Sequence, residues 1–119
     1  MRAARGCEKG RRYKEAIELY EKVLIIDASH YRALNDLAWL LVTVPDITLR
    51  DPPRAIPLAE KAVALKRSAG ILDTLAEAYY VNGSFKRAIE TISEAIELDP
   101  EDTYLKEQLE KFAAALERS

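Results

Sequence analysis

His30 and Cys7 are the only histidine and the only cysteine among 119 residues, so they limit the chemistry the chain can do alone. A cysteine nucleophile needs a neighbouring base, and nothing in the sequence places one beside Cys7. A zinc centre takes several Cys or His ligands, and one of each is too few. His30 closes the polar stretch Asp27-Ala28-Ser29-His30 between two apolar-periodic segments, and it reads as a solvated turn residue. One cysteine allows no internal disulfide, which fits a reducing compartment. Carboxylates are plentiful, but Glu15, Glu18, Glu90, Glu94 and Glu97 take outward helical positions, where they pair with lysines or water. No glycine-rich phosphate loop follows a strand, because no strand is expected. Asn82-Gly83-Ser84 has the form of a glycosylation acceptor, yet reads as a helix-ending turn because no secretory leader is visible. The expectation is no catalytic site, no cofactor and no metal.

Composition excludes other classes. Eighteen Lys and Arg stand against 20 Asp and Glu, a net charge of −2. A nucleic-acid or anionic-membrane footprint would need a clear basic excess. The longest nearly apolar run, Leu37 to Val44, is too short to span a bilayer. Arg2 and Arg5 are followed by no apolar leader, so a cytoplasmic setting is expected.

Self-similarity organises the rest. Ser84-Phe-Lys-Arg-Ala-Ile-Glu-Thr-Ile-Ser-Glu-Ala-Ile-Glu-Leu-Asp-Pro100 has a near-copy at residues 12–28 and a looser one at residues 53–65. Registered copies of this kind mark a stacked repeat array. In the last full unit, Leu72, Leu75, Ala76 and Tyr79 share one helical face at i, i+3, i+4, i+7. Asn82-Gly83 ends that helix, and Ser84 is placed as the N-cap of the next. The second helix turns Phe85, Ala88, Ile89, Ile92, Ala95 and Ile96 inward. Asp99-Pro100 then supplies a cap and a first-turn proline for the following helix. Ala76, Ala88 and Ala95 stand where two helices approach closely.

Leu75, Ala76, Tyr79, Ala88, Ile92, Ala95 and Pro100 resemble the tetratricopeptide-repeat signature of ~34 residues, with Leu72 in place of the usual tryptophan. The resemblance covers about residues 10–102. It implies an all-α superhelix of antiparallel helix hairpins, right-handed, with about six or seven helices and one continuous core. The whole chain, 1–119, reads as one domain. It divides into a partial first repeat at 1–30, a second at 31–68, a third at 69–102 and a capping helix at 103–119. In the second unit Leu34, Leu37, Ala38 and Leu41 form the first helix face, and Ala55, Ala59 and Ala62 that of the second helix. The connection Val44–Pro53 is roughly five residues longer than the family's hairpin. It reads as a tolerated insertion, with a specific contact element as the other possibility. Pro57 argues that the regular second helix begins near Arg54 or bends at Pro57. In the capping helix Leu105, Leu109, Phe112 and Leu116 form the apolar face.

The resemblance also implies a function: a non-enzymatic protein–protein interaction scaffold that binds a partner segment in its concave groove. By that likeness the groove is lined by Asn35, Trp39, Val42 and Thr43, then Asp73, Glu77 and Tyr80, then Glu107 and Lys111. One branch of the family clamps acidic chaperone tails with lysines, an arginine and an asparagine. Here Asp73 and Glu77 stand where cations would be needed, so a neutral or basic, partly apolar segment is the expected partner. The first unit suggests an alternative. Only Met1 to Gly10 remains for its first helix, with Ala3, Ala4 and Cys7 inward. That is too little to cover Tyr13, Ile17 and Tyr20, which would then form a homo-oligomer contact.

Overall fold

The computed structural model describes residues 2–119, with side chains from Arg11 onward. Six α-helices and one 3-10 turn make up the described chain: α1 (Arg2–Ile26), α2 (Tyr31–Thr43), the turn Ile47–Leu49, α3 (Pro52–Leu65), α4 (Ala69–Val81), α5 (Phe85–Leu98) and α6 (Thr103–Arg118). No strand occurs among the described residues. The architecture is all-α, as the periodicity requires.

Four helix starts, those of α2, α3, α4 and α6, have a side-chain cap. His30 caps α2, its Nδ1 accepting from the Ala33 N–H at 3.1 Å, so it is more than a solvated turn residue. Asp51 and Ser68 cap α3 and α4 through their side-chain oxygens. Ser84 holds the N-cap position of α5, but its hydroxyl makes no capping bond. Asp102, not Asp99, caps α6, with Oδ1 2.9 Å from the Tyr104 N–H; Pro100 lies in the turn before it. α4 ends where Gly83 takes φ +83°. The Gly83 N–H donates to the Tyr80 carbonyl at 3.0 Å and the Ser84 N–H to the Tyr79 carbonyl at 2.8 Å, the paired bonds of a Schellman ending.

The start expected near Arg54 and the separate first helix are both corrected. α3 begins at Pro52, two residues before Arg54, and carries Pro57 inside it. Pro52 and Pro53 suit the first turn, and Pro57 falls early enough that only the carbonyl of exposed Pro53 loses an intrahelical partner, which water can replace. α1 runs unbroken through the region assigned to a separate short helix. Gly10 is followed by Arg11-Arg12-Tyr13, with neither a proline nor a capping residue to restart a helix. The side chains of Ala3, Ala4 and Cys7 lie outside the described residues.

The helices stack in two layers. α2 and α4 pack side by side, and α6 joins them through side chains of α4. α1, α3 and α5 form the other layer, each against its neighbours in the first. Alanine sets the spacing: Ala38, Ala55, Ala59, Ala62, Ala76, Ala88 and Ala95 are all fully buried, leaving room for close helix approach. Leu37, Leu72, Ile92 and Phe112 fill the space between, each contributing roughly 1.5–3 kcal/mol by burial. The ion pairs Arg54–Glu21 and Arg67–Glu94 are exposed and add little.

The long connection between α2 and α3 is tied down by its own hydrogen bonds. Val44 is buried, and its carbonyl accepts from Arg50 Nε at 2.7 Å. Asp46 Oδ1 accepts from the Thr48 N–H and hydroxyl, and these bonds hold its carboxyl below the usual carboxylate range. The Asp51 N–H donates to the Leu41 carbonyl at 2.8 Å. Ile47 is the connection's one large apolar side chain turned to solvent, 74% exposed.

Candidate functional site

The layer of α2, α4 and α6 gathers most of the residues singled out above. α4 is the most enclosed helix, buried without a break from Ile71 to Tyr79. Asp73 and Glu77, one turn apart, are therefore both taken out of water, each 8% exposed. Carboxylates at such depth need partners. α6 supplies them: Gln108 Nε2 donates to Asp73 Oδ1 and to Glu77 Oε1, each at 3.0 Å. Lys111 Nζ reaches the same Glu77 oxygen at 3.0 Å. It also lies 4.7 Å from the ring centre of Tyr80 and 5.4 Å from that of Phe112. Burial pushes the Asp73 carboxyl above its ordinary range, the Gln108 hydrogen bond opposes this, and the charge of Glu77 adds to it. Tyr104, beside the pair, has its hydroxyl pushed up to about 12 by burial and then by Asp73 and Glu77.

Gln108 is a residue that the sequence reading missed. It is 4% exposed, whereas Glu107, assigned to the groove, points to solvent. The signal was present: Leu105, Gln108, Phe112 and Ala115 recur at three and four residues and are the buried side of α6. Leu109, expected on that stripe, lies beside it and is half-buried.

Tyr80 does not lie open in the groove. Its ring stacks on Phe112 at 5.0 Å between centres and meets Phe85 at 5.8 Å, so it joins α4 to α5 and α6. Val42 also leaves the set: it is 2% exposed and belongs to the core, because α4 packs over that flank of α2. Asn35, Trp39 and Thr43 remain on α2, all half-buried. Asn35 Oδ1 is buried without a hydrogen-bond partner. Thr43 Oγ1 donates to the Trp39 carbonyl at 2.7 Å, tying down the end of α2. The Trp39 indole takes no part in the apolar core clusters. The structure thus brings Asp73, Glu77, Tyr80 and Lys111 into one contact network and leaves Asn35, Trp39 and Thr43 on the adjoining helix.

The assigned self-association patch is placed differently. Ile17 is 9% exposed and packs in the core, and Tyr13 and Tyr20 are half-buried. Burial and then the neighbouring Asp36 raise the Tyr20 hydroxyl above its ordinary value. α2 covers this side of α1, which the first-repeat reading left bare.

No group of three or more His, Cys, Asp or Glu among the described residues is arranged to hold a metal ion. No described helix is long and apolar enough to cross a membrane.

Residues 69–102 match the family model for the tetratricopeptide repeat. Among curated proteins none matches the chain in sequence. Solved structures match its fold. A double mutant of MamA from RS-1 is 24% identical with a TM-score of 0.76, over 87% of this chain and 56% of that one. The first such domain of human RPAP3 is 21% identical with a TM-score of 0.79, over 98% and 89%. The first domain of Spaghetti (RPAP3), bound to the HSP90 peptide SRMEEVD, is 22% identical with a TM-score of 0.75, over 97% and 88%. This chain spans little more than half of the MamA structure. The helix stack is a tetratricopeptide-repeat solenoid.

Proposed function

We propose that this tetratricopeptide-repeat chain is a non-catalytic interaction scaffold, and that the face of α2, α4 and α6 receives a segment of a partner protein. In this reading the units are residues 1–30, 31–68, 69–102 and the cap 103–119, and the setting is cytoplasmic. The observation that carries it is the state of that face. It holds the chain's only tryptophan, half-buried yet outside the core, together with a row of acids, amides and a lysine on neighbouring helices. A large aromatic with spare surface beside fixed polar groups is the kind of anchor that dominates binding energy. Buried polar residues are expensive, and apolar ones would pack α4 on α6 at lower cost.

The partner differs from that of the Spaghetti domain. The peptide held there, SRMEEVD, ends in acidic residues. Here Asp73 and Glu77 face α6, and Lys111, the cation nearest them, is already committed to Glu77. An acidic tail would have to compete with Glu77 for Lys111 and approach two acids of its own sign, which disfavours it. The segment we infer is neutral or basic and partly apolar, seated beside Trp39.

Trp39 is the sole indole, so its fluorescence reports this face alone. Titration with a peptide library is expected to shift its emission for neutral or basic apolar peptides, and to leave it unchanged for SRMEEVD. Binding confined to acidic peptides would reverse the assignment.

A further inference from the structure

α3 lies between α2 and α4, and α5 between α4 and α6; each of these second-layer helices is clasped on two sides. α1 occupies the same place in the first unit but packs chiefly on α2. Its core side is Ile17, with Tyr20 and Leu24 against the cluster. A second apolar line runs along the helix through Ala16, Leu19, Val23 and Ile26. Leu19 is 61% exposed and Ile26 87%, and neither Ala16 nor Val23 joins the core. Steps of three, four and three residues are the spacing of a coiled-coil seam.

The charges beside this seam select its occupant. Glu15 and Lys22 precede Ala16 and Val23, the flanking positions that set orientation in paired helices. Both are exposed, and neither forms an ion pair with another described residue. The opposite flank, Ile17 with Tyr20, is turned to α2 and cannot take part. We infer that the line Ala16, Leu19, Val23 and Ile26 is the contact surface for a second copy of this chain, packed antiparallel along α1. In that arrangement Leu19 meets its own symmetry mate across the two-fold axis. Glu15 faces the partner's Lys22, and the same pair recurs on the other side. Parallel packing would set Glu15 against the Tyr20 flank, which α2 already occupies. This surface lies across the helix from Ile17, and it is independent of the groove reading.

The test is a concentration series by sedimentation velocity, with circular dichroism to verify the fold. The wild-type chain is expected to dimerise reversibly. Leu19→Glu replaces an exposed side chain, so it should keep the helical signal and weaken the dimer about tenfold or more. Glu15→Lys and Lys22→Glu each turn two attractions into two repulsions and should weaken it by about tenfold. The double variant Glu15→Lys/Lys22→Glu should restore wild-type affinity, which a nonspecific apolar contact would not do. A monomer at every concentration would assign the face to another chain or segment and overturn the proposal. So would a dimer indifferent to Leu19→Glu, or a double charge exchange that fails to rescue. The Trp39 titration should be unchanged in all these variants, so failure here and failure of the groove reading remain distinguishable.

Discussion

Asp73 shows how one side chain couples the stack to pH. Burial raises its carboxyl above the ordinary value of 3.8, against the pull of the Gln108 hydrogen bond. A raised value means that the folded chain holds the proton more readily than the unfolded one. The stabilising contribution is complete below the unfolded value and is lost as pH rises through the folded one, where burying the anion begins to cost. Asp73→Asn abolishes this titration and keeps an oxygen for the Gln108 amide. Unfolding by urea should therefore find the variant gaining on wild type as pH rises from about 4 to about 7. A difference that stays flat across that range would mean that Asp73 is not the buried acid described here. The cluster was half legible. Asp73, Glu77 and Lys111 follow from their places on the helices, but Gln108 does not, because Leu105, Leu109, Phe112 and Leu116 account for an apolar face of α6 without it. A polar residue on a buried stripe is recognisable only when its partners across the interface are known.

Helix endings carry the next scale. Gly83 sits at φ +83°, and a Cβ built there would meet nothing within 4 Å. The cost of Gly83→Ala is then backbone strain alone, about 1 kcal/mol. Gly70, inside the first turn of α4, has the same open surroundings without the positive φ. Gly70→Ala should stabilise by up to about 1 kcal/mol, because alanine loses less backbone entropy on forming a helix. Chemical denaturation of the two variants should give midpoints moved in opposite directions; shifts of the same sign would refute the Schellman ending of α4. Helix boundaries depend on signals that compete within a few residues. Asp99-Pro100 looked like a helix start, yet Asp99 ends α5 and Asp102 begins α6. Pro57 looked like a barrier, yet the helix accommodates it because it falls within two turns of the N-terminus.

At the scale of the molecule, stability should follow position in the stack. Each unit draws its support from neighbours, so the ends open first. α4 is buried along nine successive residues from Ile71 to Tyr79, while α1 carries the exposed Leu19, Ile25 and Ile26. Hydrogen exchange on the dilute protein should show the slowest amides in α4 and the fastest helical amides in α1, with α6 between. Uniform protection across all helices would contradict the stacked description. Raising the concentration should slow exchange in α1 selectively if the antiparallel pairing forms.

The sequence alone determined the helical class and the close-approach alanines Ala76, Ala88 and Ala95. Those follow from the 3.6-residue period and from side-chain size, which are properties of neighbouring residues along the chain. Ala55 and Ala88 are fully buried at matching places, while Ala16 in the equivalent position is half-buried, because α1 packs chiefly on α2 whereas α3 and α5 are each held between two helices. Only the tertiary structure decided which flank of each helix is covered. It moved Val42 into the core, turned Tyr80 onto Phe112, hid Ile17 and left Leu19 bare. Periodicity marks an apolar stripe, but the direction from which a partner helix arrives is set by the packing of the whole stack.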